Sequence, residues 1–363
     1  MNHNFMDIEL QTFTVNKRFP LTISRGTTKQ TTNLWLKLHH EGITGWGEAS
    51  PFGMDGVRHT AESLQQELSS IAPLLHNFTP WQHQALQEAL AKPLDNLLSN
   101  NPLNNPLSNP AKAALDTALH DWLGKALGVP LWQLWGLALE KIVPISATIG
   151  LNTPAAAVTR FQNWLPITGG KILKVKLGSP QGIKADQEML RAIRQVAPES
   201  TLMVDANGGW SLTDALFMGD WLANQGVLYI EQPLPRGQEK DLPQLFARSP
   251  LPIFADESCW TSQDILPLSD RVHGINIKLM KAGGLREVWQ MIHTARSLGL
   301  QIMFGCYSDS ILANTAMAQL SPLADYLDLD SHLNLVDDPF QGAELIAGRL
   351  IPSSAPGLGV TRK

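Results

Sequence analysis

Apolar residues recur along this chain in two textures. In the first part they alternate with polar ones over Glu9–Val15 and Asn33–His39, and Gly42–Gly47 reads as the returning arm of a hairpin. Helical spacing follows over Thr60–Ile71 and Trp81–Ala91. A further helix is predicted from about Ala111 to Ala126, with Ala114, Leu115, Ala118, Leu119 and Trp122 on one stripe and Gly128 and Pro130 closing it. Residues 100–110, rich in Asn and Pro, read as a polar surface loop.

From about Val143 the texture changes to short apolar runs: Pro144–Gly150, Ile172–Leu177, Leu202–Ala206, Leu228–Glu231, Ile253–Asp256, Gly274–Leu279, Ile302–Gly305 and Tyr326–Asp330. Helix-period segments separate them, such as the stripe Leu285, Val288, Ile292, Ala295 and Leu298, and Ser211 to Asp214 carries a capping signal. Strand alternating with helix in this way predicts a closed parallel barrel rather than an open sheet. Gly- and Pro-punctuated chain follows the last run, where an eighth helix would stand. The expected fold is therefore α/β, a modified TIM barrel of (β/α)7β type over residues 141–334. An α+β unit precedes it over residues 1–140.

Composition narrows the partners. The chain has 363 residues, long enough for two domains, and 17% of them are charged, which suits a large interior. The net charge of -5 and the lack of a basic stripe argue against nucleic acid. No run of about 18 apolar residues is present, so no membrane span is expected. The first fifteen residues carry neither a basic nor an apolar signal region. Cys259 and Cys306 are too few for a disulfide framework or a thiolate metal site. A soluble, cytoplasmic protein is expected. A homo-oligomer is compatible with this sequence, which does not set the subunit count.

The chemistry is expected at the C-terminal ends of the barrel strands. There the runs end in Lys174-Val175-Lys176, Asp205-Ala206-Asn207, Glu231-Gln232-Pro233, Asp256-Glu257-Ser258, Asn276-Ile277-Lys278 and Asp328-Leu329-Asp330. Successive charges lie roughly 22–29 residues apart, one βα unit each, which sets them at one height around one mouth. A lone strand-end Asp is usually a turn former and a lone Lys a surface residue. Together, charges embedded in apolar runs would destabilise a merely structural core unless something compensates them. Three carboxylates from separate strands, Asp205, Glu231 and Asp256, make a hard-oxygen site for Mg²⁺, and no His or Cys joins them to favour zinc. Glu257, next to Asp256, is expected on the opposite face of its strand. Lys176 and Lys278 flank the carboxylates, which suits removing a proton from a carbon beside a carboxylate on one face and returning one on the other. Nearby Mg²⁺, partial burial and Lys174 would favour a neutral amine. A Schiff-base lysine is the rival chemistry, but it needs no metal triad.

These motifs, with Gly45-Trp46-Gly47-Glu48-Ala49, residues 124–131 and Lys278 to Gly284, resemble the muconate-lactonising subgroup of the enolase superfamily over nearly the whole chain. The resemblance implies a capping domain over the barrel, completed by the C-terminal tail (about 335–363). It also implies Mg²⁺ held by Asp205, Glu231 and Asp256, and an acid/base pair of Lys176 and Lys278. Lys281, in the same motif, is expected outside the inward set. Asp328 and Asp330 resemble the Asp-x-Asp pair with which dipeptide epimerases hold the substrate's α-ammonium group. The implied activity is epimerisation of a dipeptide such as L-Ala-Glu at its C-terminal residue. Cycloisomerisation, o-succinylbenzoate synthesis, N-acylamino-acid racemisation and non-catalytic carboxylate binding are the alternatives. Cap loops over Lys17–Lys29 and Ser50–Arg58 are expected to close the site. Arg25 lies near the position of an arginine that receives the Glu side chain in L-Ala-D/L-Glu epimerases, with a one-residue shift. Lys174, Thr148, Cys306 and Tyr307 are expected around the substrate, and Asn207 behind the metal ligands. Asp309 stands where several relatives have Glu.

Overall fold

The computed structural model describes residues 5–54, 57–90 and 107–363. Its N-terminal part is an antiparallel sheet of β1 (Asp7–Ile23), β2 (Gly26–His40) and β3 (Ile43–Ala49), followed by the short ribbon β4 (Gly53–Met54) with β5 (Val57–Arg58). Alternation gives β2 two working faces. Leu34, Leu36 and Leu38 pack on the helices α1 (Ala61–Leu75), α2 (His83–Leu90) and α3 (Asn109–Leu127), while Trp35 faces the barrel side. Thr60 and Ser63 form a capping box at α1, and Gly128, at φ 72°, ends α3 in the left-handed conformation glycine favours. The helix α3 lies directly on β3: a Cβ on Gly45 or Gly47 would fall 2.0 or 1.9 Å from the carbonyl oxygen of Ala118 or Ala114. The predicted loop of residues 100–110 lies outside the described residues up to 106, and its last two residues begin α3.

After α4 (Leu131–Leu134), eight parallel strands form the barrel: β6 (Ala147–Ile149), β7 (Ile172–Lys176), β8 (Thr201–Asp205), β9 (Val227–Glu231), β10 (Ile253–Ala255), β11 (Gly274–Lys278), β12 (Gln301–Gly305) and β13 (Tyr326–Asp328). They neighbour one another in chain order, and a parallel bridge between Ile145 and Leu327 closes the ring. Seven crossovers carry helices: α5 (Pro154–Thr168), α6 (Ile183–Val196), α7 (Leu212–Asn224), α8 (Leu242–Arg248), α9 (Ser262–Leu268), α10 (Leu279–Ala282) with α11 (Leu285–Ser297), and α12 (Ile311–Ala318). After β13 a 3-10 turn, Ser331–Asn334, stands in place of an eighth helix. The expected (β/α)7β form is what the chain adopts. Among the described residues no helix is long and apolar enough to cross a membrane.

Strand parity builds the interior in layers. At its base Met203, Tyr229, Phe254 and Met303 form an apolar plug. One pleat higher the same parity carries Asp205, Glu231, Lys176 and Lys278, while Leu173, Val175 and Val204 belong to the main hydrophobic core. The charges therefore sit one pleat above this apolar cluster, with Lys174 and Asn276 in register with Met203 and Met303 at its level.

The cap is fastened over the mouth by buried polar contacts. Glu48, on β3, accepts from Asn33 Nδ2 at 2.7 Å, Ser50 Oγ at 3.2 Å, Ser310 N at 3.0 Å and Ala313 N at 3.2 Å, and from the Ser310 hydroxyl. Burial, then Asp309, push this carboxyl up to about 7 in spite of those donors. The C-terminal tail returns to the same sheet. It forms β14 (Phe340–Gln341), β15 (Glu344–Ile346), β16 (Arg349–Ile351) and β17 (Thr361–Arg362), with β14 pairing β17. Phe340 packs edge-on against Phe13 and Trp46, Arg362 lies over Trp35, and Leu358 N donates to Asp121 Oδ1 on α3.

Candidate active site

Registry brings the predicted charges together. Lys176 pairs with Asp205 across β7 and β8, and Asp205 with Glu231 across β8 and β9. Asp205, Glu231 and Asp256 are buried, and one oxygen of each lies within 4.8 Å of the others. An all-oxygen set of this size has the donor chemistry of Mg²⁺.

Lysines hold these carboxylates from every side. Lys176 Nζ is 2.6 Å from Asp205 Oδ2, and Lys278 Nζ is 2.6 Å from Asp256 Oδ2. Lys174 is not at the substrate, where it was expected: with no exposed surface, it reaches Glu231 Oε2 at 2.5 Å, Asp328 Oδ2 at 2.7 Å and Asp205 Oδ2 at 3.5 Å. Burial opposes its charge, but these three carboxylates hold the ammonium well above the ordinary lysine range. Burial alone would raise Asp256; Lys278 and Lys281 overcome it and hold the carboxyl well below the usual carboxylate range. Glu231 goes the other way. Burial, then Asp205, push it up to about 8.

Two more residues stand where the sequence reading did not put them. Strand β10 ends at Ala255, so alternation no longer governs Asp256 and Glu257, and both turn inward. Glu257 Oε1 accepts from Asn207 Nδ2 at 3.2 Å and pairs with Arg25 Nη2 at 2.7 Å. Lys281 is drawn back by α10, which starts directly after β11, so three residues make one helical turn. Its Nζ contacts Asp256 Oδ1 and the Asp256 carbonyl at 2.6 Å each, with the Cys259 and Asn276 carbonyls at 2.8 and 2.9 Å. A buried lysine beyond a strand end carries no parity signal, and although Lys281 lies in the family motif, only the absence of a loop after Lys278 could have shown that it turns inward.

Asn207 lies behind Asp205, its N–H donating to Asp205 Oδ1 at 2.8 Å and its Nδ2 to Oδ2 at 3.1 Å. Its φ of 45°, and the 37° of Gln232, put two non-glycine residues in the left-handed region beside the carboxylates. Gln232 is held there by accepting from Asp256 N at 2.9 Å and Ser258 N at 3.2 Å. The tip of the β1–β2 hairpin reaches this corner. Ser24 Oγ and Arg25 Nη1 each donate to the Asn207 carbonyl at 3.1 Å.

Opposite the carboxylate triad, Asp328 and Asp330 line a cavity with Thr148, Cys306, Tyr307 and Lys176. Asp328 is engaged by Lys174, by Ser146 Oγ at 2.9 Å and by Thr148 Oγ1 at 3.2 Å. Asp330 accepts from Thr148 N at 2.6 Å, and burial with the Asp328 charge push its carboxyl up to about 6. Cys306 Sγ donates to the Asp328 carbonyl at 3.1 Å. Tyr307 stacks on Phe52 at 4.4 Å, with Lys278 Nζ 4.7 Å from its ring centre. Asp309 is buried and accepts from Tyr307 N at 3.1 Å.

A capped, closed barrel whose strand ends carry a carboxylate triad between two lysines defines an enolase-type enzyme. Residues 7–136 match the model of the mandelate racemase/muconate lactonizing enzyme N-terminal domain, and residues 157–363 that of the enolase C-terminal domain-like family. The chain belongs to the mandelate racemase/muconate lactonizing enzyme family. It is 44% identical over 356 residues to a hydrophobic dipeptide epimerase of Roseobacter litoralis, covering 98% of both chains. It is 36% identical over 349 residues to the L-Ala-D/L-Glu epimerase of Bacteroides thetaiotaomicron, covering 95% of this chain and 85% of that one. Among solved structures it resembles the dipeptide epimerase of Enterococcus faecalis V583 complexed with Mg and L-Leu-L-Tyr, with TM-score 0.87, 27% identity and coverage of 98% and 99% of the two chains.

Proposed function

We propose that this chain is an Mg²⁺-dependent dipeptide epimerase that inverts the α-carbon of the C-terminal residue by proton transfer between Lys176 and Lys278. The observation that carries the reading is the placement of these two amines, on β7 and β11, on either side of the Asp205–Glu231–Asp256 group, with Asp328 and Asp330 across the mouth. Asp205, Glu231 and Asp256 would hold the ion. When bound, Mg²⁺ supplies Lewis-acid stabilisation of the negative charge that develops on the substrate carboxylate as the α-proton leaves. The chain's own residues do the rest. One lysine takes the proton from one face, the other returns one to the opposite face, and the buried floor and cap keep water from intercepting the carbanion. Asp330 receives the α-ammonium group of the N-terminal residue, and Asp328 keeps Lys174 fixed beneath the carboxylates. Every charge of a dipeptide then has a counterpart, which muconate or an N-acylated amino acid would not provide.

The second side chain is read here as apolar. Tyr307, Phe52 and Trp260 form one aromatic wall, with Phe52 and Trp260 rings 5.5 Å apart. Arg25, the residue suited to an acidic side chain, is already paired with Glu257. A substrate ending in Glu would have to draw it away. The two free thiols, Cys259 and Cys306, favour a reducing compartment, and the cytoplasm is the proposed location.

Proton NMR in D₂O with Mg²⁺ tests the activity. L-Ala-L-Phe and L-Leu-L-Tyr are expected to exchange and invert at the C-terminal α-carbon, at least about tenfold faster than L-Ala-L-Glu. No exchange with any dipeptide, from folded protein loaded with metal, would sink the reading. The pH profile tests Asp330 separately. Only its carboxylate holds an ammonium group, so kcat/KM is expected to fall about tenfold per unit below pH about 6 and to level off above it. Asp330→Asn should abolish that limb; a limb that persists unchanged assigns it elsewhere.

A further inference from the structure

The cavity beside Asp330 contains a cation that the reaction above does not use. Lys17 lies on β1, at the start of the stretch where register with β2 is lost between Asn16 and Leu21. Its backbone instead bridges Leu335, and Val336 N donates to the Asn16 carbonyl at 3.1 Å. Asn334 grips Phe19 from both ends, accepting from Phe19 N at 2.9 Å and donating to the Phe19 carbonyl at 2.8 Å. This segment of the cap is thereby pinned to the turn that follows Asp330, and the Lys17 side chain lines the cavity with Asp330, Cys306 and Ser331.

Only 9% of Lys17 is exposed, and its ammonium has no hydrogen bond or ion pair among the described residues. Asp330 and Asp309 act on it from farther off, and burial brings it below the ordinary lysine value. Arg160 enters the same cavity from α5. Its guanidinium stacks over Phe19 at 4.3 Å and donates to the Pro20 carbonyl at 3.0 Å, with no carboxylate in ion-pair reach among the described residues. A buried cation with no ion pair or hydrogen bond, only more distant carboxylates, is costly, so a site that holds one is matched to an anion that arrives with a ligand.

Resting on the dipeptide reading above, we infer that Lys17, with Arg160 beside it, forms a subsite for a carboxylate on the side chain of the dipeptide's N-terminal residue. With its α-ammonium group on Asp330, that residue's side chain starts one carbon away and points past Asp330 along the cavity that Lys17 and Arg160 line. An aspartyl or glutamyl residue thus meets a negative and a positive group in the order in which it carries its own opposite charges. A neutral side chain leaves Lys17 buried and unpaired.

The test compares isosteres. Rates of C-terminal α-proton exchange are measured in D₂O with Mg²⁺ for L-Glu-L-Phe, L-Gln-L-Phe and L-Ala-L-Phe, in the wild type, Lys17→Met and Lys17→Arg. The wild type is expected to favour L-Glu-L-Phe over L-Gln-L-Phe by at least about tenfold in kcat/KM, the size of one charge-assisted hydrogen bond. Lys17→Met should bring that ratio to about one, and Lys17→Arg should restore most of it. A wild-type ratio near one, or a ratio that survives in Lys17→Met, overturns the subsite. Exchange of L-Ala-L-Phe alongside either result leaves the epimerase reading standing; if none of the three dipeptides exchanges, both readings fall.

Discussion

Lys278→Ala and Lys176→Ala are each expected to lower the rate of inversion by at least about a thousandfold, because each removes the only amine on its face of the substrate. The two variants should differ in what survives. A lysine ammonium carries three equivalent protons that equilibrate with solvent, so the remaining amine can still take the α-proton that faces it and return a deuteron to the same side. One variant should therefore retain exchange, without inversion, on the L,L-dipeptide and the other on its L,D-diastereomer. NMR of both diastereomers in D₂O reads exchange and inversion separately. Inversion within tenfold of wild type in either variant would rule out the two-base scheme, and loss of all exchange in both would point to a damaged site instead. At Lys278 the chain's own groups, without the metal, favour the ammonium, the reverse of the neutral amine expected from the sequence. Burial opposes it, but Asp256 overcomes this and holds its pKa above the ordinary lysine value.

Lys281→Met is expected to be the most damaging change to stability among the site's lysines, costing about 3–5 kcal/mol. Its ammonium meets Asp256 Oδ1 and three carbonyls at 2.6–2.9 Å, all of them buried. Methionine fills a similar volume but takes a donor from each of those acceptors, and of the four the Asp256 carbonyl still accepts from Cys259 N at 3.1 Å. Lys278→Met should cost far less, because Asp256 keeps Lys281. Urea unfolding of both variants without Mg²⁺ checks the contrast. Saturating Mg²⁺ should recover part of the loss in Lys281→Met, since an ion on Asp256 replaces the missing positive charge and binds only the folded state. Equal losses in the two variants would mean that Lys281 is not what holds Asp256 in place.

How much of this was legible in the sequence depends on whether regular structure governed the residue. Lys174, Lys176, Asp205, Glu231 and Lys278 all lie inside strands, where parity fixes the direction of each side chain, and each breaks an apolar run in which a charge needs a reason. The missing eighth helix was legible from Gly and Pro alone. Glu257 and Lys281 were misplaced because parity was extended past the true strand ends, by two residues in the first case and into a helical turn in the second. Strand ends are set by tertiary pairing, which one sequence does not display. Lys17 was named only as the edge of a cap loop. Its backbone bridges Leu335 and nearby Phe19 is held by Asn334, each more than three hundred positions away, and no local pattern encodes that. Arg25 shows the same limit: its charge was legible, but its pairing with Glu257 was not.

The tail that seals the cap has a consequence for how the molecule is assembled. Asp121 on α3 meets Leu358, and Trp35 on β2 meets Arg362, across stretches of chain that contain the whole barrel. Contacts this distant in sequence form slowly, because the intervening loop must first be ordered. During synthesis the cap sheet and its helices emerge early, yet the face that carries Trp35 and Trp46 stays uncovered until the barrel and then the tail have followed. The enzyme therefore spends its folding time with an aromatic surface exposed, and its dependence on chaperones should be set by the last thirty or so residues rather than by the barrel.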